Sequence, residues 1–372
     1  TILSENSPTL SYWETIFNRF VHGDTSFVDS LLTDSAQSFF YELVIFDDTT
    51  LNKTFHLLRE QLDTSYVDYN IPEITSDDVV GGFRNGWGLF IINMDAAREQ
   101  ILIQVPHPCD DFIAPYIALD LFFETDAFGF MIAGAGREVA WNQIGDYSNS
   151  KSISDPSRYP HTVFQKFQDA VTEPLIGMNP HWPLVFAIHS FDNQTHLERK
   201  PIIMAAGGQN PFTTKPIRDI TNDHFDIINF TEEYPIYINE FGSHDPLHVT
   251  EYYEVFFDDQ CVYDNGEDEF PITLASELKG PSNGVQMQAL QSQFNSLSVY
   301  EPWIHVELDE KPMLFDELNF EDDQLYNYGT YPVSMENFGM LRQFYYPFIS
   351  SVLDYINHCL LYTSDAADDF VR

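Results

Sequence analysis

The stretch "ILIQVPHPCDDF", residues 101–112, sets His107 and Asp110 three positions apart, directly after a short and largely apolar run. An imidazole and a carboxylate at that spacing can close on one cation from a single turn of chain, and a nitrogen-plus-oxygen donor set suits zinc. Asp111 is the alternative carboxylate in the same turn. Spacing alone decides little, because 12 histidines in a chain this acidic produce roughly two such pairs by accident. Three occur: His107/Asp110, His189/Asp192 and His248/Glu251.

Context separates them. His107 closes "ILIQVPH" and His189 closes "PLVFAIH", so two expected strands each end in a histidine. In a sheet of strands alternating with helices, ligands collect at the carboxyl ends of the strands. A third expected strand, "PWIHVEL", carries Glu307 near its end. Its alternation puts His305 and Glu307 on one face and Ile304, Val306 and Leu308 on the other. His248/Glu251 lies in "HVTEYYEVFF" without a strand-end setting and reads as a solvated face. The expected metal set is therefore His107, Asp110 and His189 around one zinc ion. Three protein ligands leave a fourth position for water, and Glu307 is the expected base for that water. His305 is expected one pleat behind Glu307, as a support or a substrate contact.

Cations are scarce, with 17 Lys and Arg against 58 Asp and Glu. Arg137, at the end of "FGFMIAGAGR", and Arg158, in "SDPSRYP", thus stand out as forks for a substrate carboxylate or carbonyl, or as partners of the many acids. Asn283, in "SNGVQMQAL", either caps a helix or contacts the ligand.

These residues need a frame. Short apolar runs at "GLFIINM", "ILIQV", "FGFMIAG", "PLVFAI" and "PWIHVEL" alternate with helical patterns at "FIAPYIALDLFFE", "HTVFQKFQDAV" and "NFGMLRQFYYPFISSVLDYI". The expected fold is α/β: a three-layer α/β/α arrangement with a mixed, mostly parallel sheet. Residues 1–80 read as a helical N-terminal extension, on the three-and-four spacing of "LSYWETIFNRFVHG" and "LNKTFHLLREQL". Residues 81–358 read as the catalytic domain. Residues 359–368, "CLLYTSDAAD", look like a translated sequencing adapter, so 359–372 are expected to be an artefactual tail packing poorly on the rest.

Composition narrows the partners. A net charge of −41 repels nucleic acid and anionic membranes, leaving a small molecule or a peptide-like substrate. Three cysteines without a CxxC pair build neither a disulfide framework nor an all-cysteine zinc site. No run approaches the roughly 20 apolar residues of a membrane span, and a chain opening on Thr1 reads as processed or partial, so compartment is not legible. "GAGREV" lacks the last glycine of a dinucleotide fingerprint, and no P-loop, GxSxG or HExxH is present.

"VPHPCDD", "FGFMIAGAGR", "SDPSRYPHTVFQKFQDAV" and "PLVFAIHSFD", in that order, resemble N-formylglutamate amidohydrolases and, more widely, zinc carboxypeptidase-like and aminoacylase-like hydrolases. The resemblance covers residues 88 to about 310. It implies that His107, Asp110 and His189 are zinc ligands and that Glu307 is the late catalytic glutamate. Departures are Asp110 where a Glu is commoner and no acid before the histidine in "AIHS". The implied activity is zinc-dependent cleavage of an amide C–N bond in a small carboxylate-bearing or peptide-like substrate. The contrasting expectation is a noncatalytic small-molecule or peptide-binding protein without the metal.

Overall fold

The chain is described from a computed structural model, which covers residues 3–33, 39–63, 82–137, 153–175, 183–191, 202–205, 216–217, 220–221, 255–258, 285–294, 302–310 and 335–357. In chain order the elements are α1 (Pro8–Phe20), α2 (Thr25–Leu32), β1 (Tyr41–Asp48), β2 (Lys53–Glu60), β3 (Leu89–Asn93), β4 (Arg98–Val105), α3 (Ala114–Glu124), β5 (Ala127–Ile132) and α4 (Val163–Thr172). They continue with β6 (Leu184–Phe191), β7 (Ile202–Ala205), β8 (Val255–Asp258), α5 (Val285–Phe294), β9 (Trp303–Asp309) and α6 (Met335–Tyr355). Mixed β-structure, parallel next to the candidate centre, together with helices makes this an α/β fold, as the alternating pattern predicts.

Two units share the chain, the first from Thr1–Pro108 and Asp126–Pro183, the second from Cys109–Thr125 and Leu184–Arg372. In the first unit the strand order is β1-β2-β3-β5-β4. The pairs β1/β2, β2/β3 and β3/β5 are antiparallel, and β4 lies parallel to β5. Ile101, Leu102, Ile103 and Val105 of β4 are all fully buried, the near-continuous apolar run a strand shows when both faces are covered. Gly129 of β5 has no room for a side chain, since a Cβ there would stand 2.8 Å from Leu102 Cδ1.

α1 belongs to this core. Trp13, Ile16, Phe17 and Phe20 are all buried along one stripe, and the Phe17 ring lies 4.9 Å from Phe90 of β3 and 5.1 Å from Phe167 of α4. The expected helical extension is helical only as far as α2, because "LNKTFHLLREQL" forms β2 where the spacing predicts a helix. Its apolar residues fit both periods over so short a run. Pairing decides it: Asn52, at φ 53°, turns the hairpin back from β1, and β2 is bonded by β1 on one side and β3 on the other.

In the second unit the order is β6-β9-β7-β8, with β6/β9 and β7/β8 parallel and β7/β9 antiparallel. Every residue of β6 is buried. Arg342 of α6 grips α3 through Asp120, 2.9 Å away, and Glu124, at 2.8 Å. Among the described residues, no helix is long and apolar enough to cross a membrane.

Candidate metal centre

β4 ends at Val105, whose carbonyl accepts from the Ala133 amide (3.0 Å), and the chain turns through Pro106 and Pro108 with His107 between them. Proline removes amide donors and fixes φ, so this turn cannot continue the strand. His107 is 6% exposed, and its Nε2 lies 2.9 Å from Asp155 Oδ1. Asp155 sits in "SDPSRYP", where Oδ1 also accepts the Ser157 amide (2.8 Å), a side-chain-to-backbone turn typical of aspartate. Arg158 Nε is 3.8 Å from Asp155 Oδ2. Burial alone would raise the Asp155 carboxyl, but the hydrogen bond and charge of His107, the Ser157 amide and Arg158 outweigh it and hold it below the usual carboxylate range.

Past the turn, Cys109 is exposed and Asp110 half-buried, whereas Asp111 is 2% exposed. Asp111 Oδ2 lies 2.8 Å from His189 Nδ1, and its carbonyl accepts the Ala114 amide at the start of α3 (3.2 Å). The next residue is tied down as well, since the Phe112 amide donates to Glu310 Oε1 (2.8 Å), which also accepts the Ser190 hydroxyl (2.6 Å). Glu310 thereby pins the turn bearing Asp111 to the strand bearing His189.

β6 and β9 run in parallel with Ala187 opposite His305 and His189 opposite Glu307. Both expected β9 residues are buried, and His305 Nε2 lies 2.9 Å from Glu307 Oε1. The His189 and His305 rings are 4.5 Å apart and tilted by 35°. Burial and the neighbouring His305 charge lower the His189 pKa, opposed by Asp111 and Glu307, so the neutral ring, the form that ligates metals, is favoured.

His107, Asp111 and His189 form a buried group in which each residue offers one ligand atom within 4.8 Å of the others, so the group could hold a metal ion. The carboxylate in it is Asp111, the alternative in the turn, and not Asp110. His107 is held by a carboxylate outside the group, through Nε2 to Asp155, whereas the carboxylate against His189 Nδ1 is Asp111, itself a member of the group. A proton on His107 Nε2 leaves the Nδ1 lone pair for a cation, the usual carboxylate–histidine–metal arrangement, while Asp111 Oδ2 and His189 Nδ1, 2.8 Å apart, stand side by side as neighbouring donors.

The remaining expectations divide. Arg137 is half-buried after β5, with its carbonyl accepting the Ser154 hydroxyl (2.9 Å), and Arg158 pairs with Asp155. Asn283, His248, Glu251 and the tail 359–372 lie outside the described residues. The sequence reading did not single out Asp155 or Glu310. The Asx turn at Asp155 is legible in "SDPS", but its pairing with a histidine 48 positions earlier is not. No protein-family model, curated protein or solved structure matches the chain at a significant level.

Proposed function

We propose that this chain is a metal-dependent hydrolase, with His107, Asp111 and His189 holding one zinc ion, that cleaves an amide C–N bond in a small carboxylate-bearing or peptide-like substrate. The observation carrying this reading is the buried His/Asp/His group, whose donor atoms lie within 4.8 Å of one another. Two imidazoles and a carboxylate are a donor set known from catalytic zinc sites, where three protein ligands leave a position open. When bound, such an ion polarises a carbonyl and lowers the pKa of a water to about 7.

The chain's own residues supply the rest. Glu307, opposite His189 on the neighbouring strand, is the base that takes a proton from the attacking water and returns it to the leaving amine. His305, bonded to Glu307 at 2.9 Å, orients that carboxylate. Asp155 fixes the ring of His107. Arg137 is the fork for the substrate's carboxylate. The test is metal analysis of protein purified without a chelator. About one zinc per chain is expected; a metal-free protein that still binds small ligands would replace this reading with the noncatalytic one.

A further inference from the structure

Within the first unit, two turns enclose a cavity of about 300 Å³, at the small end of ligand sites. Trp87, Ala133, Ile153, Pro156, Val163 and Phe164 are among its walls. Three of the polar residues that also line it are already committed to the protein. Ser154 donates to the Arg137 carbonyl, Thr162 Oγ1 accepts the Gln165 amide at the start of α4, and Asn85 Nδ2 donates to the Phe39 carbonyl. The fourth, His161, sets its ring edge-on to Tyr159 at 5.2 Å, so the cavity offers an occupant mainly apolar surface beside one imidazole.

The walls are also preformed. Turn 85–88 is held by the buried Glu60 carboxylate, which accepts the amides of Asn85 (2.5 Å), Gly86 (2.9 Å) and Trp87 (3.4 Å). Gly88, at φ +112°, lies so close to β5 that a Cβ would stand 2.0 Å from the Ile132 oxygen. The opposite wall, Ser154 and Pro156, flanks Asp155, whose carboxylate grips His107. An apolar cavity with rigid walls binds an apolar group without an ordering cost.

We infer that this cavity binds the apolar side chain or acyl group of a small molecule, of phenyl or isobutyl size, beside the residue that orients His107. As a specificity pocket for an amide substrate, the inference rests on the hydrolase reading; as a binding site it does not.

The probe is toluene, titrated calorimetrically into the metal-free and the zinc-supplemented protein. Saturable binding at one site is expected in both, weakened at least about tenfold in Ile153→Phe or Val163→Phe with the thermal midpoint retained, and unchanged in Phe46→Ser, a site exposed on β1. Absence of saturable binding, or binding that neither filling variant weakens, overturns the inference. Toluene binding by a protein that takes up no zinc keeps the pocket and removes the hydrolase reading. Zinc uptake without toluene binding does the reverse. If turnover is present, N-acetylphenylalanine should exceed N-acetylglycine in kcat/KM, and the filling variants should erase the difference.

Discussion

His189 and Glu307 are register partners on adjacent parallel strands, so their side chains leave the same face of the sheet at the same level. A candidate ligand and a candidate base are thus fixed by backbone pairing rather than by loop conformation, which makes the base testable by itself. Glu307→Gln keeps the size and leaves an oxygen for His305 but removes the proton acceptor. Zinc content should persist while turnover falls by roughly 10² to 10⁴. Turnover unchanged with zinc still bound would assign the base to another carboxylate.

The choice between adjacent aspartates gives a sharper contrast. Asp111 is buried against His189 and Asp110 is half-buried beside an exposed Cys109. Zinc affinity should fall by on the order of a hundredfold in Asp111→Asn and stay within about threefold in Asp110→Asn, as measured by competition with a chromogenic chelator. The opposite ranking would return the ligand role to Asp110.

Asp155 acts through His107. Asp155→Asn should lower zinc affinity by about 10- to 100-fold. Circular dichroism should show the fold retained, and restoring the carboxylate as Glu should recover part of the affinity. An Asn variant with full affinity would make the Asp155–His107 bond structural only.

Stability has its own pH signature. Burial pushes the Asp169 carboxyl up to about 6, with Glu173 and Glu14 adding to it and Gln165 and Lys166 opposing. Because this folded pKa lies above the unfolded value, the contribution is fully present below about pH 4 and is lost as pH rises through about 6. Asp169→Asn still accepts from Gln165 and should be more stable than the parent at pH 7, by about 1–3 kcal/mol, with a flatter profile between pH 4 and 6. Urea denaturation at pH 4 and 7 measures both; a less stable variant at pH 7 would mean the ionised carboxylate has a stabilising partner.

Much of this was written locally in the chain. "ILIQV", "PLVFAI" and "PWIHVEL" are strands because buried β-branched runs bounded by proline have few other solutions, and the strand-end histidines and the pairing of His305 with Glu307 follow from their alternation. What sets Asp111 apart from Asp110 is burial, a property that adjacent aspartates in one turn do not reveal by spacing. The contacts that orient the histidines and the turn are long-range: Asp155 to His107, Glu310 to Phe112 and Ser190. No spacing rule reaches them. Nor does one resolve β2, whose residues satisfy helix and strand periods alike until β1 and β3 are placed beside it.

The division of the chain into two interleaved units bears on how it emerges during synthesis. α3 lies between β4 and β5 in sequence, yet it packs in the second unit, against β6 and α6. Ile117, Ala118 and Leu121 of α3 are fully buried, and its described partners β6 and α6 are made only at residues 184–191 and 335–355. At about 5–20 residues per second, β6 follows α3 by roughly 3–12 s, and α6 follows later still. This window, rather than the finished fold, is where a holding chaperone would matter most to the protein's yield.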